Sequence, residues 1–171
     1  MKRAYLGDSY DVLKRFWATS LGSIAPLYYH PKFVPLDIRK EYELVTSIPI
    51  LGEIPNSKFG VLLDPHTGIP LPSDFDVRVT ASHAPLSFIV DFCQTNDPEF
   101  IVCFDQTHHR THELDKLGQL KLKTNYLEAR RIFSFYYLSH APFLFASSSA
   151  ETANQIRDHL ISLGIPEARF G

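Results

Sequence analysis

Short apolar runs alternate with amphipathic stretches along the chain. The runs at residues 59–63, 100–104 and 143–145 have the length of buried strands. Between and after them, residues 85–92 and 153–163 carry apolar side chains at helical spacing, and Gly164 ends the second stretch. Because strands separated by helices need crossover connections, the pattern predicts an α/β fold. The expected sheet is mainly parallel and flanked by helices, in a Rossmann-like three-layer arrangement.

The rest of the chain adds less regular elements to this prediction. Residues 4–6 predict a short strand ending at Gly7 and Asp8, followed by a helix with an apolar face. That face is formed by Tyr10, Leu13, Phe16 and Trp17. Further segments predict strands at 27–29 and 43–51, a loop at 68–83, a helix at 125–138 and a short edge strand at 165–170.

Composition narrows the class of protein. A length of 171 residues fits one domain, expected to span residues 1–171, and 44% hydrophobic with 21% charged residues is typical of a folded globular chain. The formal net charge of -2 lacks the basic excess of a general nucleic-acid coat, although a local basic groove stays open. No apolar run approaches the ~20 residues that span a bilayer, and the N-terminus does not match a signal peptide. We therefore expect a cytoplasmic protein that does not cross a membrane.

Acidic residues follow three of the expected strands. Asp8, Asp64 and Asp105 each stand where an apolar run ends. In parallel sheets, ligands bind beyond the carboxyl ends of the strands, so neighbouring strands would bring these carboxylates together. Oxygen ligands suit hard cations, and the three residues are therefore candidate ligands for Mg²⁺ or Mn²⁺. The alternative is that each Asp only forms a turn or caps a helix, above all Asp8, which directly precedes one.

Two polar segments supply candidate catalytic side chains. In the turn at residues 64–69, Pro65 and Gly68 would direct His66 towards the site. In residues 105–113, His108 is a candidate general base and Arg110 a candidate phosphate ligand. His108 and His112 would share a helix face at a spacing used for zinc, but the H-E-x-x-H order is missing, so zinc ranks behind Mg²⁺ and Mn²⁺. The alternative for this segment is a solvated loop.

The motifs around these acids resemble those of a family of small uncharacterised bacterial and archaeal proteins. That family has a short strand with Gly-Asp, a strand ending D-P-D-[TN]-G-[IL], and a later strand ending Y-Q-H-x-x-R. Here residues 6–8 resemble the first element, residues 64–69 the second, and Gln106 with Arg110 the third. The chain departs from the pattern at His66, which replaces the second Asp, and at residues 105–107, which replace Tyr-Gln-His. The resemblance implies shared site positions and no particular reaction.

Three functional hypotheses follow. The first is a metal-dependent phosphoester hydrolase, such as a nuclease, with a phosphate-containing substrate or nucleic acid as partner. Asp64, Asp105 and Asp8 would bind the cation, His66 or His108 would move protons, and Arg110 would hold phosphate. The second is a group transferase or a protein that binds a nucleotide or an S-adenosylmethionine-type ligand. The third is a non-catalytic interaction module. The sequence contains no phosphate-binding loop, no G-x-G-x-x-G motif and no G-x-S-x-G motif. None of these motifs therefore selects one of the three hypotheses.

Overall fold

One mixed sheet organises the computed structural model, which describes residues 3–72 and 79–171. Within those residues the sheet has five strands: β1 (Leu27–Tyr29), β2 (Gly60–Leu63), β3 (Phe100–Phe104), β4 (Phe133–Tyr137) and β5 (Phe143–Ser147). Their spatial order is β1-β2-β3-β5-β4. β1, β2 and β3 are parallel, and β5 is antiparallel to both of its neighbours. Four of these strands therefore share one direction, which confirms an α/β fold with a mostly parallel sheet.

Five α-helices accompany the sheet within the same residues: α1 (Ser9–Leu21), α2 (Arg39–Thr46), α3 (Leu86–Asn96), α4 (Lys116–Glu128) and α5 (Ala150–Ser162). Short polar side chains begin three of them. Asp8 caps α1, Asp115 caps α4 and Ser149 caps α5, each by accepting hydrogen bonds from backbone N–H groups of the first turn. The helices predicted after Asp8, at 85–92 and at 153–163 are confirmed.

Two apolar clusters lie on the two faces of the sheet. Side chains alternate between the faces along each strand, so neighbouring residues of β2 and β3 enter different clusters. The α3/α4 cluster contains Leu63 and Cys103 together with residues of α3 and α4. The α1/α5 cluster contains Leu62 and Phe104 together with residues of α1, α2 and α5. This alternation decides where the acids that follow β2 and β3 point.

The predicted strands at 4–6 and 43–51 are wrong. Arg3–Tyr5 forms a 3-10 helix whose backbone bonds are local, from the N–H of Leu6 to the carbonyl of Arg3. Most of 43–51 belongs to the end of α2 and a left-handed turn at Ser47, and only Ile50 makes an isolated bridge to β1. Asp8 therefore follows a helical turn and not a strand.

The predicted helix at 125–138 is also wrong, because two elements share that apolar pattern. α4 ends at Glu128, the backbone turns through a positive φ at Arg131, and β4 then pairs with β5. Phe135 stacks on Phe145 of β5, with ring centroids 5.1 Å apart. Pairing along β5 thus overrides the helical spacing of these residues.

The remaining segments agree in part with their predictions. Residues 165–170 form a 3-10 helix at Glu167–Arg169 and a single bridge from Phe170 to Tyr137, short of the predicted edge strand. The predicted loop at 68–83 has a bridge between Gly68 and His83, and its residues 73–78 lie outside the described residues. No helix formed by the residues that the structure describes is long and apolar enough to cross a bilayer.

Candidate functional site

Asp64 and Asp105 lie at the same edge of the sheet but point to opposite faces. β2 and β3 are adjacent parallel strands, and Leu63 pairs with Cys103, so both acids stand just beyond the carboxyl ends. Leu63 faces the α3/α4 cluster, which turns Asp64 towards α1 and α2. Phe104 faces the α1/α5 cluster, which turns Asp105 towards α4. The one-residue offset between them places the two carboxylates on opposite faces of the sheet.

Asp64 belongs to a buried network on the α1 side, which we call the Asp64 network. Its Oδ2 accepts hydrogen bonds from Lys14 Nζ at 2.7 Å and from the Tyr42 hydroxyl at 3.1 Å. Lys14 also donates to Asp11 Oδ1 at 2.9 Å, and its Nζ lies 5.5 Å from the centre of the Tyr42 ring. The Lys14 ammonium group therefore bridges the carboxylates of Asp11 and Asp64 and lies against the Tyr42 ring.

The protonation states in this network follow from burial and from these partners. Burial alone lowers the pKa of Lys14, but the charges of Asp64 and Asp11 outweigh it and raise that pKa above its ordinary value. Burial raises the pKa of Asp11, and Lys14 opposes that rise. Burial and the charge of Asp64 raise the pKa of the Tyr42 hydroxyl. Lys14 thus stays charged and Tyr42 stays a hydrogen-bond donor at neutral pH.

Asp105 belongs to a matching network on the α4 side, which we call the Asp105 network. Its Oδ2 accepts hydrogen bonds from Lys123 Nζ at 2.7 Å and from the Tyr136 hydroxyl at 2.9 Å. Its Oδ1 accepts two backbone N–H groups, from Ile69 and Thr107, each at 3.0 Å. The side chains of Asp105 and Lys123 are both 0% exposed. Burial and the charge of Asp105 raise the pKa of the Tyr136 hydroxyl, which therefore stays a donor.

Gly68 lets the loop after β2 approach Asp105. Its φ is +129°, a conformation that L side chains rarely adopt. A Cβ at this position would collide with the Asp105 carboxylate and lie 2.8 Å from Asp105 Cα. The close approach allows the N–H of Ile69 to reach Asp105 Oδ1, so the loop after β2 is tied to the end of β3.

A pocket of about 230 Å³ opens beside the Asp64 network. It lies beyond the end of β2, next to the first turns of α1, where α/β proteins commonly bind ligands. The residues that line it are Tyr5, Asp8, Tyr10, Lys14, Asp64, Pro65, His66, Phe104 and Gln106. Aromatic rings form much of the wall: Tyr5 stacks on His66 at 5.8 Å between centroids, and Tyr10 meets Phe104 edge-on at 5.3 Å.

The charged groups at this pocket are mostly acidic. Asp8 and Asp64 line it, and Asp11 lies directly behind Lys14. Lys14 contributes an ammonium group to the lining, and that group already donates hydrogen bonds to the carboxylates of Asp11 and Asp64. Asp8 uses Oδ1 to accept the N–H groups of Tyr10 and Asp11, which fixes the carboxylate at the mouth of the pocket. The lining therefore carries two carboxylates to one ammonium group, beside the hydroxyl, amide and imidazole groups of Tyr5, Tyr10, Gln106 and His66.

The structure brings together some of the predicted site residues and separates others. Asp8, Asp64 and His66 all line the pocket. Asp105 is enclosed in its own network on the other face, and His108 and Arg110 lie exposed in the segment after it. Residues 106–115 contain a turn at residues 110–111 and no helix, so the helical spacing considered for His108 and His112 is not realised. The ion-pair partner of Asp105 is Lys123.

The side chains available as metal ligands bear on the predicted Mg²⁺ or Mn²⁺ site. Among residues 3–72 and 79–171, no three His, Cys, Asp or Glu side chains are grouped in a way that could hold a metal ion. Asp64 and Asp105 each bind a lysine ammonium at 2.7 Å, so a cation would have to displace or outcompete that charge. Coordination by Asp8, Asp64 and Asp105 stays a prediction.

Five buried polar residues of these networks were not predicted from the sequence to belong to a site. They are Asp11, Lys14, Tyr42, Lys123 and Tyr136. For the first two the sequence offers one signal, because Asp11 and Lys14 lie in one row of α1 with the apolar Trp17 and Leu21, and the structure shows that whole row buried. The predicted face was displaced from this row, since Phe16 is 37% exposed. Lys123 stands in a basic stretch with Lys121, Arg130 and Arg131, which gives no hint that it alone points inwards.

Comparisons with protein-family models, with curated proteins and with solved structures find no match to this chain. The resemblance to the family with D-P-D-[TN]-G-[IL] and Y-Q-H-x-x-R motifs therefore stays a hypothesis. Its second motif coincides with the loop from Asp64 to Ile69, which connects the two networks. Function must accordingly be inferred from the pocket itself.

Proposed function

We propose that this protein binds a small, donor-rich ligand with a planar ring, of the nucleoside or S-adenosylmethionine type, in the pocket beside Asp64. The observation that carries the proposal is the composition of the pocket. Two carboxylates, Asp8 and Asp64, face an aromatic-lined opening, while the ammonium group of Lys14 is already bonded to Asp64 and Asp11. Amino, hydroxyl or cationic groups of a ligand would meet acceptors there.

Size and wall chemistry support the same class of ligand. At about 230 Å³ the pocket is smaller than the roughly 300–1,000 Å³ of sites for drug-sized molecules, so it would enclose one ring system of such a ligand and leave the rest of it outside. Tyr5, Tyr10 and Phe104 supply ring faces and edges for stacking. Excess negative charge disfavours a free phosphate group in the pocket. The position beyond β2, with helices contributing to clusters on both faces, also agrees with a Rossmann-like three-layer description.

The proposal is tested by thermal unfolding with adenosine, S-adenosylmethionine and inorganic phosphate added singly. A ligand that binds only the folded state raises the melting temperature, by an amount that grows with the logarithm of its concentration once that exceeds the dissociation constant. We expect S-adenosylmethionine, which carries both a cationic sulfur and a base, to raise it most, adenosine to raise it less, and phosphate to leave it unchanged. A shift by phosphate alone would contradict the proposal.

Asp8→Asn provides a matched variant for this test. Asn caps helices about as well as Asp, so the variant keeps the cap of α1 while removing the charge at the pocket. We expect weaker binding of S-adenosylmethionine, by about tenfold, which corresponds to about 1.4 kcal/mol. Asp115→Asn removes the equivalent capping charge of α4, outside the pocket, and is the control that should bind as wild type does.

The second candidate is the metal-dependent phosphoester hydrolase, with a phosphate-containing substrate or nucleic acid. The specific observation that favours it is that Asp8, Asp64 and His66 share one pocket. A cation there would neutralise the acidic lining and lower the pKa of its bound water, and His66 would lie near the proton to be moved. Mg²⁺ and Mn²⁺ belong in the same unfolding series. A large shift with Mn²⁺ that vanishes in Asp8→Asn would rank this candidate first.

A further inference from the structure

The ammonium group of Lys14 has one more hydrogen-bond donor than its protein contacts use. An ammonium group carries three N–H donors. Lys14 Nζ donates to Asp11 Oδ1 at 2.9 Å and to Asp64 Oδ2 at 2.7 Å, and within residues 3–72 and 79–171 no acceptor takes the third donor. The side chain lines the pocket and is only 3% exposed, which leaves little surface for water. An acceptor atom of a ligand would complete the bonds of this buried group.

Asp8 supplies the complementary group at the mouth of the same pocket. Its Oδ1 accepts the N–H groups of Tyr10 and Asp11, whereas its Oδ2 accepts no hydrogen bond from any residue that the structure describes. Asp8 is half-buried and Lys14 is buried, so Lys14 lies deeper. Six residues of helix rise separate the two by about 9 Å along the axis of α1. A ligand that contacts both must therefore reach from the mouth into the pocket.

Aromatic rings line the pocket beside Lys14. The centre of the Phe104 ring is 5.6 Å from Lys14 Nζ, and Tyr10 meets Phe104 edge-on at 5.3 Å. Phe104 is 7% exposed and belongs to the inner part of the pocket, whereas Tyr5, at 49% exposed, belongs to the outer part. A flat ring that packs against Phe104 would therefore bring an atom of its edge close to the Lys14 ammonium group.

We infer that the pocket binds a purine nucleoside with the base inwards, an inference that rests on the proposed function and deepens it. The purine packs against Phe104 and Tyr10, and one of its ring nitrogens accepts a hydrogen bond from Lys14 Nζ. The sugar stays at the mouth, where a hydroxyl donates to Asp8 Oδ2. A ring nitrogen is a neutral acceptor, which suits an ammonium group that two carboxylates already bind.

The opposite orientation fits the same groups poorly. It would place the sugar hydroxyls against the ring of Phe104, where they lose water without gaining the partners they need. It would also place the ring nitrogens, which are acceptors, next to the carboxylate of Asp8, which is an acceptor as well. The pocket of about 230 Å³ encloses one ring system, so the base inside and the sugar outside also agree with its size.

Three analogues of adenosine test the base end of the ligand. In 1-deazaadenosine, 3-deazaadenosine and 7-deazaadenosine, a C–H group replaces one ring nitrogen and the ring keeps its shape. We expect one of the three to bind about tenfold more weakly than adenosine, as the loss of one hydrogen bond implies, and the others to bind within about threefold of it. Titration calorimetry measures the affinities. The NMR resonance of Lys14 Nζ should shift with adenosine and stay in place with the weakened analogue.

The sugar end is tested with 2′,3′-dideoxyadenosine, which keeps the base and lacks both hydroxyl groups of the sugar ring. We expect the wild-type protein to bind it about tenfold more weakly than adenosine. Asp8→Asn should bind the two compounds within about threefold of each other, because the carboxylate that distinguishes them is gone. Asp115→Asn removes the capping carboxylate of α4, outside the pocket, and should discriminate as wild type does.

The outcomes separate this inference from the proposed function. Equal affinities for adenosine and all three deaza analogues would overturn the inference and leave the proposed function standing, since adenosine would still bind. Dideoxyadenosine that binds as tightly as adenosine would overturn it in the same way. One weakened analogue that still shifts the Lys14 resonance as adenosine does would overturn the role of Lys14. Failure of both adenosine and S-adenosylmethionine to bind would overturn the proposed function, and the inference with it.

Discussion

The Asp64 and Asp105 networks are chemically alike and structurally different. Each joins an Asp that follows a parallel strand to a lysine ammonium at 2.7 Å and to a tyrosine hydroxyl. The Asp105 network is closed: two backbone N–H groups complete the hydrogen bonds of its carboxylate, and its Asp and Lys side chains are 0% exposed. The Asp64 network borders a pocket and holds a second carboxylate, Asp11.

From this difference in surroundings we infer that the two Asp–Lys pairs have different roles. A fully bonded, closed ion pair holds the loop after β2, the end of β3 and helix α4 together, and it has no access to a ligand. The Asp64 network is almost as buried, with the Lys14 and Asp64 side chains 3% and 4% exposed, but it holds two carboxylates to one ammonium group and lines a pocket. We therefore assign Asp105 to the architecture and Asp64 to the candidate site, and the following variants test that division.

The largest loss of stability is expected for Lys123→Met. Removing one partner of a buried ion pair leaves the other charge uncompensated, which typically costs about 3–5 kcal/mol. Urea unfolding measures the change. Lys121→Met, at an exposed position of the same helix, should alter stability by less than about 0.5 kcal/mol. A Lys123→Met protein as stable as this control would show that Asp105 does not depend on the pair.

Gly68→Ala should be the next most damaging change. The backbone strain at a φ of +129° costs about 1–3 kcal/mol, and the added Cβ would also push the loop away from Asp105. The loss should include the protection of the Ile69 amide from hydrogen exchange. Gly52→Ala has open space and an ordinary φ, and it should be close to neutral. An Ile69 amide that stays protected would mean that the loop is held by other contacts.

Lys14→Met should destabilise less than Lys123→Met, by about 1–3 kcal/mol. Asp64 lines the pocket, so water that enters beside it can solvate the carboxylate once the ammonium group is gone. The variant also sharpens the question of a metal. Two freed carboxylates should gain stability from added Mn²⁺ if the edge of β2 can coordinate a cation. A Lys14→Met effect larger than that of Lys123→Met would reverse our assignment of the two networks.

Tyr136→Phe and Tyr42→Phe compare single hydrogen bonds in the two networks. Each removes one hydroxyl donor to a carboxylate, at 2.9 Å and 3.1 Å respectively, and such bonds to charged groups contribute about 1.5–3 kcal/mol. Both tyrosines are almost fully buried, so we expect Tyr136→Phe to cost slightly more only because its hydrogen bond is the shorter of the two. A larger loss for Tyr42→Phe in urea unfolding would contradict this order.

The smallest expected effect is that of Asp11 on the pH dependence of the free energy of unfolding. Since burial raises the pKa of Asp11 above its ordinary value of 3.8, the folded protein binds this proton more tightly than the unfolded chain. Stability from this group is therefore lost as pH rises from 3.8 through the folded pKa. In Asp11→Asn, urea unfolding between pH 3.5 and about pH 7 should show a flatter profile, whereas exposed Asp37→Asn should follow wild type. Parallel profiles for wild type and Asp11→Asn would contradict the raised pKa.

The fold was predictable where one signal dominated. The apolar runs that became β2, β3 and β5 are too short for helices and too apolar for loops, so burial in a sheet was their one stable outcome. Predictions failed where the secondary structure depends on a distant pairing partner. The residues of β4 have helical spacing, but they form a strand because they pair with β5. For the site, the sequence indicated Asp8, Asp64 and His66 but not Lys14, because which side of an amphipathic helix is buried depends on what lies opposite.

The sequence by itself determined that acids would follow buried parallel strands and would therefore gather at one edge of the sheet. It could not determine which acids face each other. That was decided by register: Asp64 follows Leu63, which pairs with Cys103, whereas Asp105 stands one residue beyond the partner position. Because side chains alternate along a strand, this single residue sends the two carboxylates to opposite faces, each to its own lysine and tyrosine. Long-range pairing, which no local pattern encodes, separated the pocket beside Asp64 from the closed ion pair of Asp105.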